Sequence, residues 1–117
     1  DIIAKEVDFF NIGTNDLEQF TFALDRQDPC YDRVSPKNHR ALLRMIKMVC
    51  DNAHANGIKA GICGELAAAP TLTEVFLELG VDMLSVVPSR ILPLRKAVRS
   101  ISLKDRKKAE SDLKMFL

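Results

Sequence analysis

Three short groups in this 117-residue chain are placed where chemistry could occur, Gly13-Thr14-Asn15-Asp16, Cys63-Gly64-Glu65 and Pro88-Ser89-Arg90, and the first suits an anion and a metal. In the first group, Gly13 lets the backbone approach a ligand closely, and amides entering a helix donate to phosphate. Asn15 supplies a donor for phosphate oxygens, and Asp16 is a hard oxygen ligand suited to magnesium. A plainer role fits the same residues: Asn15 or Thr14 caps the helix that follows, helped by Glu18. The two roles are compatible. Cys63 ends an apolar run beside a glycine, where its thiol can face the mouth of a sheet, although a buried cysteine ordinarily packs as a small apolar group. Arg26 follows Asp25 soon after the first group; its planar fork suits a phosphate or carboxylate, or else a surface ion pair.

These groups need elements that place them together, and the hydrophobic pattern supplies such elements. Val7 to Ile12, Ile58 to Cys63 and Met83 to Val87 are short apolar runs ending at Gly13, Gly64 and Pro88. They read as strands buried on both faces of a parallel sheet. Helical spacing lies between them. Leu42, Met45, Ile46, Val49 and Ala53 share a face over Arg40 to Asn56, with Gly57 as the stop. Leu72, Val75, Phe76 and Leu79 share another, and Thr71 with Glu74 has the spacing of a capping box. Ile91, Leu94, Val98 and Ile101 mark a third helix, and Ser102 with Asp105 a tail helix from about residue 102. Asn15 to Leu24 reads as a short helix leading into a loop that carries Pro29 and Pro36. The order β-α-β-α-β-α demands parallel strands with crossover connections, and ligands of such sheets gather at the carboxyl ends of the strands. All three groups lie there.

Composition bounds the rest. Apolar residues form 47% and charged residues 28% of the chain, and the net charge is +1, an ordinary globular balance with no overall pull toward nucleic acid or membrane. No apolar run approaches the roughly 18 residues of a spanning helix. Cys30, Cys50 and Cys63 are odd in number and form no Cys-x-x-Cys pair, which favours a reducing, cytoplasmic setting over a disulfide framework or a zinc knuckle. Cys50, on a helical face, reads as packing. His39 and His54 are fifteen residues apart, too far for shared metal ligation along one helix, and read as structural or solvent-facing. Residues 90–108 carry eight Lys or Arg and one acid; without interleaved aromatics this reads as a solvated helix face rather than a nucleic-acid surface. The chain opens without Met on what reads as a helix end, and is expected to be a piece of a longer protein.

Asp8-Phe9-Phe10-Asn11-Ile12-Gly13-Thr14-Asn15-Asp16-Leu17, Ala23-Leu24-Asp25-Arg26 and Gly61-Ile62-Cys63-Gly64-Glu65-Leu66 together resemble the carboxyl-terminal barrel of the phosphoenolpyruvate-utilising enzymes, over nearly the whole chain up to about Ser100. Thr14 beside Asn15-Asp16, the stretch Ile46-Lys47-Met48-Val49 through Ala53-His54, and the compact spacing before Cys63 resemble the branch that feeds the bacterial sugar phosphotransferase system rather than the dikinases or synthases.

The resemblance implies an α/β fold forming part of a TIM (β/α)8 barrel, its last three βα units, with residues 1–117 as a carboxyl-terminal fragment of the phosphoenolpyruvate-binding domain. It implies Asp16 as a magnesium ligand, Asn15 and Arg26 as phosphoryl-binding residues, and Cys63 as the group that protonates the enolate carbon. It further implies phosphoenolpyruvate and pyruvate as substrate and product, a histidine-containing phosphocarrier protein as partner of the parent enzyme, and a dimer or other self-association through this region. The family's second metal-binding carboxylate and its phosphoryl-accepting histidine have no counterpart among these residues, and neither His39 nor His54 matches the latter. The isolated chain is therefore expected to be inactive.

Overall fold

The computed structural model describes residues 1–25, 27, 28 and 39–102. Arg26, the loop with Pro29, Cys30 and Pro36, and the expected tail helix lie outside the described residues. Three strands, β1 (Phe9–Gly13), β2 (Lys59–Cys63) and β3 (Met83–Ser85), form one parallel sheet in chain order. Among the described residues they are accompanied by the α-helices α1 (Thr14–Phe22), α2 (His39–Ala55), α3 (Thr73–Glu78) and α4 (Pro88–Ser100). Short 3-10 turns cover Ile3–Lys5 and Glu65–Ala68. The alternation of strand and helix agrees with the periodicity, and the strand order never reverses along the sheet.

The two faces of the sheet differ sharply, because side chains alternate along each strand. Register places Phe10 against Ala60, and Ile12 against Ile62 and Leu84. This face packs into a core with Leu43, Ile46, Cys50 and Ala53 of α2, Phe76 of α3, and Leu79 just beyond it. The opposite face carries Phe9 and Lys59, then Asn11, Gly61 and Met83, then Gly13, Cys63 and Ser85. Phe9 is 55% exposed and Met83 41% exposed. Burial on both faces, expected from the apolar runs, is thus not realised among the described residues. Among the described residues the helices cover only one face, and the strands read as continuously apolar because Phe9 and Met83 alternate with Phe10 and Leu84, which pack partly buried against the core.

Local chemistry explains most helix boundaries. α2 follows its periodic face, with Leu42, Leu43, Ile46, Cys50 and Ala53 buried, and it ends before Gly57, whose φ of +74° closes the helix as glycine commonly does. Cys50 is packing, as its position on the helix implies. The capping box at Thr71 and Glu74 does not form: α3 begins at Thr73, no side chain caps it, and the Thr73 hydroxyl donates instead to the Ala69 carbonyl at 3.2 Å. Pro88 opens α4, where a missing amide costs nothing. None of the residues of α4 is buried, and Arg90, Arg95, Lys96 and Arg99 are exposed, so the described part of the basic stretch is a solvated face.

At the end of the sheet opposite the strand carboxyl termini, His54 and Asp82 tie α2 to the start of β3. His54 Nε2 lies 2.9 Å from Asp82 Oδ2, and the Ala60 amide donates to the same oxygen at 2.9 Å. The Asp82 amide donates back to the Ala60 carbonyl at 2.8 Å. His54 is thus structural. Burial alone would raise the Asp82 carboxyl, but the Ala60 amide, the hydrogen bond and charge of His54, and the charge of Lys59 outweigh it and hold its pKa below the usual aspartate value. A carboxyl depressed in the folded state stabilises above its unfolded pKa, and that contribution is lost as pH falls through the folded value. The stability advantage of the wild-type chain over Asp82→Asn is therefore expected to be full above about pH 5 and to shrink below about pH 4, as read by chemical unfolding across that range.

Candidate active site

The carboxyl ends of β1 and β2 meet at Gly13 and Cys63, which are register partners, and Ser85 completes the row on β3. Here the chain turns from β1 directly into α1, so Thr14, Asn15 and Asp16 form the first turn of a helix planted on the strand end. Each of their side chains goes somewhere different. Asp16 is exposed, and its Oδ2 stands 3.7 Å from where a side chain on Gly13 would begin. The carboxylate therefore lies next to the end of β1, within contact distance of any side chain placed at position 13.

Asn15 and Thr14 reach across to the turn after β2. Asn15 Oδ1 accepts a hydrogen bond from the Glu65 amide at 3.2 Å. That bond uses the acceptor end of the side-chain amide and turns its NH2 donors to other partners. The Thr14 hydroxyl donates to the Cys63 carbonyl at 2.6 Å. Capping by Thr14 or Asn15 is not what the structure contains: the N-cap is Gly13, with no side-chain cap bond. Both side chains are drawn instead to backbone groups at and just past the end of β2, which register brings within reach.

Between them lies Gly64, with φ +104° and ψ −178°, a backbone region essentially confined to glycine. A side chain there would meet Thr14 Oγ1 at 2.5 Å and Asn15 Oδ1 at 2.7 Å. Cys63 is partly exposed, and its thiol donates to the Ile12 carbonyl at 3.6 Å. Cys50, by contrast, is fully buried, and burial first, then the Asp82 and Asp51 charges, push its thiol up to about 11. Only Cys63 of this pair is placed to meet a ligand.

Of the residues singled out in the sequence, Asn15, Asp16 and Cys63 come together at one strand-end row, while Arg26 lies outside the described residues. Residue types alone did not reveal the part of Thr14 and Gly64. The signal available was the glycine immediately after a strand-ending cysteine. No three His, Cys, Asp or Glu side chains cluster for a metal among the described residues. The donor set still fits magnesium, an ion commonly held by one or two carboxylates, waters and substrate phosphate, with Asp16 as one such carboxylate.

The profile of the PEP-utilising enzyme, PEP-binding domain, matches residues 1–103. The chain belongs to this family. It is 42% identical over 107 residues to a phosphoenolpyruvate-protein phosphotransferase of Staphylococcus carnosus, covering 92% of this chain and 19% of that protein. A protein of the same name from Haemophilus influenzae is 40% identical over 105 residues, covering 90% of this chain and 18% of the relative. One from Priestia megaterium is 41% identical with the same coverage of both. The chain thus spans about a fifth of the length of the curated relatives it matches. Among the described residues no helix is long and apolar enough to cross a membrane.

Proposed function

We propose that this chain supplies the last three βα units of a (β/α)8 barrel in a cytoplasmic phosphoenolpyruvate–protein phosphotransferase, with its strand-end row as part of the phosphoenolpyruvate site. The observation that carries this reading is the convergence of Asp16, Asn15 and Cys63 at the carboxyl ends of β1 and β2, in a chain of the PEP-utilising family. The barrel reading is supported by helices on one face only, a strand order that follows the chain, and an opposite face lined by Phe9, Asn11, Lys59 and Met83. That face would be the barrel interior.

In this reading Asn15 donates through its side-chain NH2 to the phosphoryl oxygens, and Arg26 adds a planar cation to the same group. Asp16 holds magnesium, which when bound would neutralise charge on the transferring phosphoryl group. Cys63, facing the row, gives a proton to the enolate carbon as pyruvate forms. The phosphoryl group passes to a histidine elsewhere in the parent enzyme and on to a phosphocarrier protein for sugar uptake. The open edges of β1 and β3, with exposed Phe9 and Met83, support self-association of the isolated chain. Titration of the chain with magnesium and phosphoenolpyruvate, followed by NMR, tests the site: shifts are expected at Gly13 to Asp16 and Cys63 to Glu65. Shifts scattered over α2 and α3 instead would contradict it.

A further inference from the structure

We infer that Thr14 is a positioning residue for the Cys63 thiol, acting from a buried position through the backbone of β2. The inference rests on the reading of Cys63 as the proton-donating group. Thr14 is 1% exposed, so its hydroxyl meets no ligand. Its hydrogen goes to the Cys63 carbonyl at 2.6 Å, and the Cys63 thiol donates in turn to the Ile12 carbonyl at 3.6 Å. Cys63 is therefore held twice by the short run Ile12 to Thr14, once at its carbonyl and once at its sulfur.

The clamp sits where the sheet would otherwise be loosest. β2 stops at Cys63, and the next residue, Gly64, adopts a conformation that glycine alone tolerates. The Thr14 oxygen occupies the space that a side chain at Gly64 would fill, so the missing side chain and the buried hydroxyl form one unit. Sequence spacing gives Thr14 a capping role; the geometry gives it a bond between strand ends instead. A loose Cys63 would carry its sulfur out of line with the row formed by Gly13 and Ser85, and a proton donor misplaced by about 1 Å loses much of its rate.

The test reads the thiol directly and does not depend on phosphoryl transfer. Alkylation of Cys63 by iodoacetamide at one fixed pH is followed by peptide mass mapping in the wild-type chain, Thr14→Val and Thr14→Ser. Buried Cys50 serves as an internal reporter of unfolding. Thr14→Val is expected to raise the Cys63 rate about fivefold, the change that one hydrogen bond of ordinary net strength represents, with Cys50 still protected. Thr14→Ser, which restores the hydroxyl, is expected to return the rate to within about twofold of wild type on the same scale. An unchanged Cys63 rate in Thr14→Val with Cys50 protected would overturn the inference. Should Cys50 label in Thr14→Val, Thr14→Ala is judged by the same two thiols; labelling of Cys50 there too would mark Thr14 as merely structural and overturn the inference as well. Because no substrate is involved, failure here leaves the phosphoenolpyruvate reading standing, and failure of that reading leaves this coupling standing.

Discussion

Gly64→Ala is expected to lose about 3–5 kcal/mol of stability, the sum of a strained backbone and two hydrogen bonds displaced at once. The φ of +104° with ψ near 180° costs a residue with a side chain on the order of 1–3 kcal/mol. The new methyl carbon would also lie 2.5 Å from Thr14 Oγ1 and 2.7 Å from Asn15 Oδ1. Neither oxygen has a cheap retreat, since each is engaged: Thr14 with the Cys63 carbonyl and Asn15 with the Glu65 amide. Typical domains hold only about 5–15 kcal/mol in total, so the variant should melt far below the wild type in urea or heat. Gly57→Ala is the comparison. Its φ is +74° and nothing lies within 4 Å of the added carbon, so about 1 kcal/mol of backbone cost is expected there. Equal losses at the two glycines would mean that the packing at Gly64 contributes nothing.

Replacing Cys63 with alanine in the proposed parent phosphotransferase is expected to slow pyruvate methyl-proton exchange by roughly 10²–10⁴, the usual contribution of a positioned general acid or base. The KM for phosphoenolpyruvate should change little, because the binding groups proposed, Asn15, Asp16 and Arg26, are untouched. Such a split, rate lost with binding kept, marks an interaction made in the transition state. Cys50→Ser serves as the contrast. That thiol is fully buried and its pKa is raised to about 11, so the substitution should cost stability and leave the exchange rate intact. A full rate in Cys63→Ala would remove Cys63 from the chemistry.

The parts of the fold set by local periodicity were legible in the sequence. The alternation of strands and helices, the ends of α2, and the position of Cys50 within the core all follow from residues three and four apart or from a closing glycine. The ends of β1 and β2 were legible too, so Asn15, Asp16 and Cys63 were found as candidates; β3 stops at Ser85 rather than at Val87, so Pro88-Ser89-Arg90 opens a helix two residues beyond the strand end. Contacts between strands were not legible. Thr14, Asn15 and Thr71 each have the spacing of a cap, yet Thr14 and Asn15 bond across to the end of β2 and Thr71 caps nothing. Register decides which backbone groups a side chain can reach, and register is a property of two strands together. The open face was hidden for a related reason: an apolar run does not say whether a second layer covers it. Membership of the PEP-utilising family, inferred from the Gly-Thr-Asn-Asp and Cys-Gly-Glu stretches, agrees with the match over residues 1–103.

The row formed by Gly13 and Cys63 is proposed to bind phosphoenolpyruvate with a metal ion held by Asp16. The most direct measurement is the NMR titration of the chain with phosphoenolpyruvate, with and without magnesium, in the wild type and in Asp16→Asn. The wild type should show saturable shifts at Gly13 to Asp16 and Cys63 to Glu65 that strengthen when magnesium is added, and Asp16→Asn should lose the magnesium enhancement while staying folded. Shifts indifferent to magnesium, or an enhancement undiminished in Asp16→Asn, would mean that Asp16 holds no metal at this row.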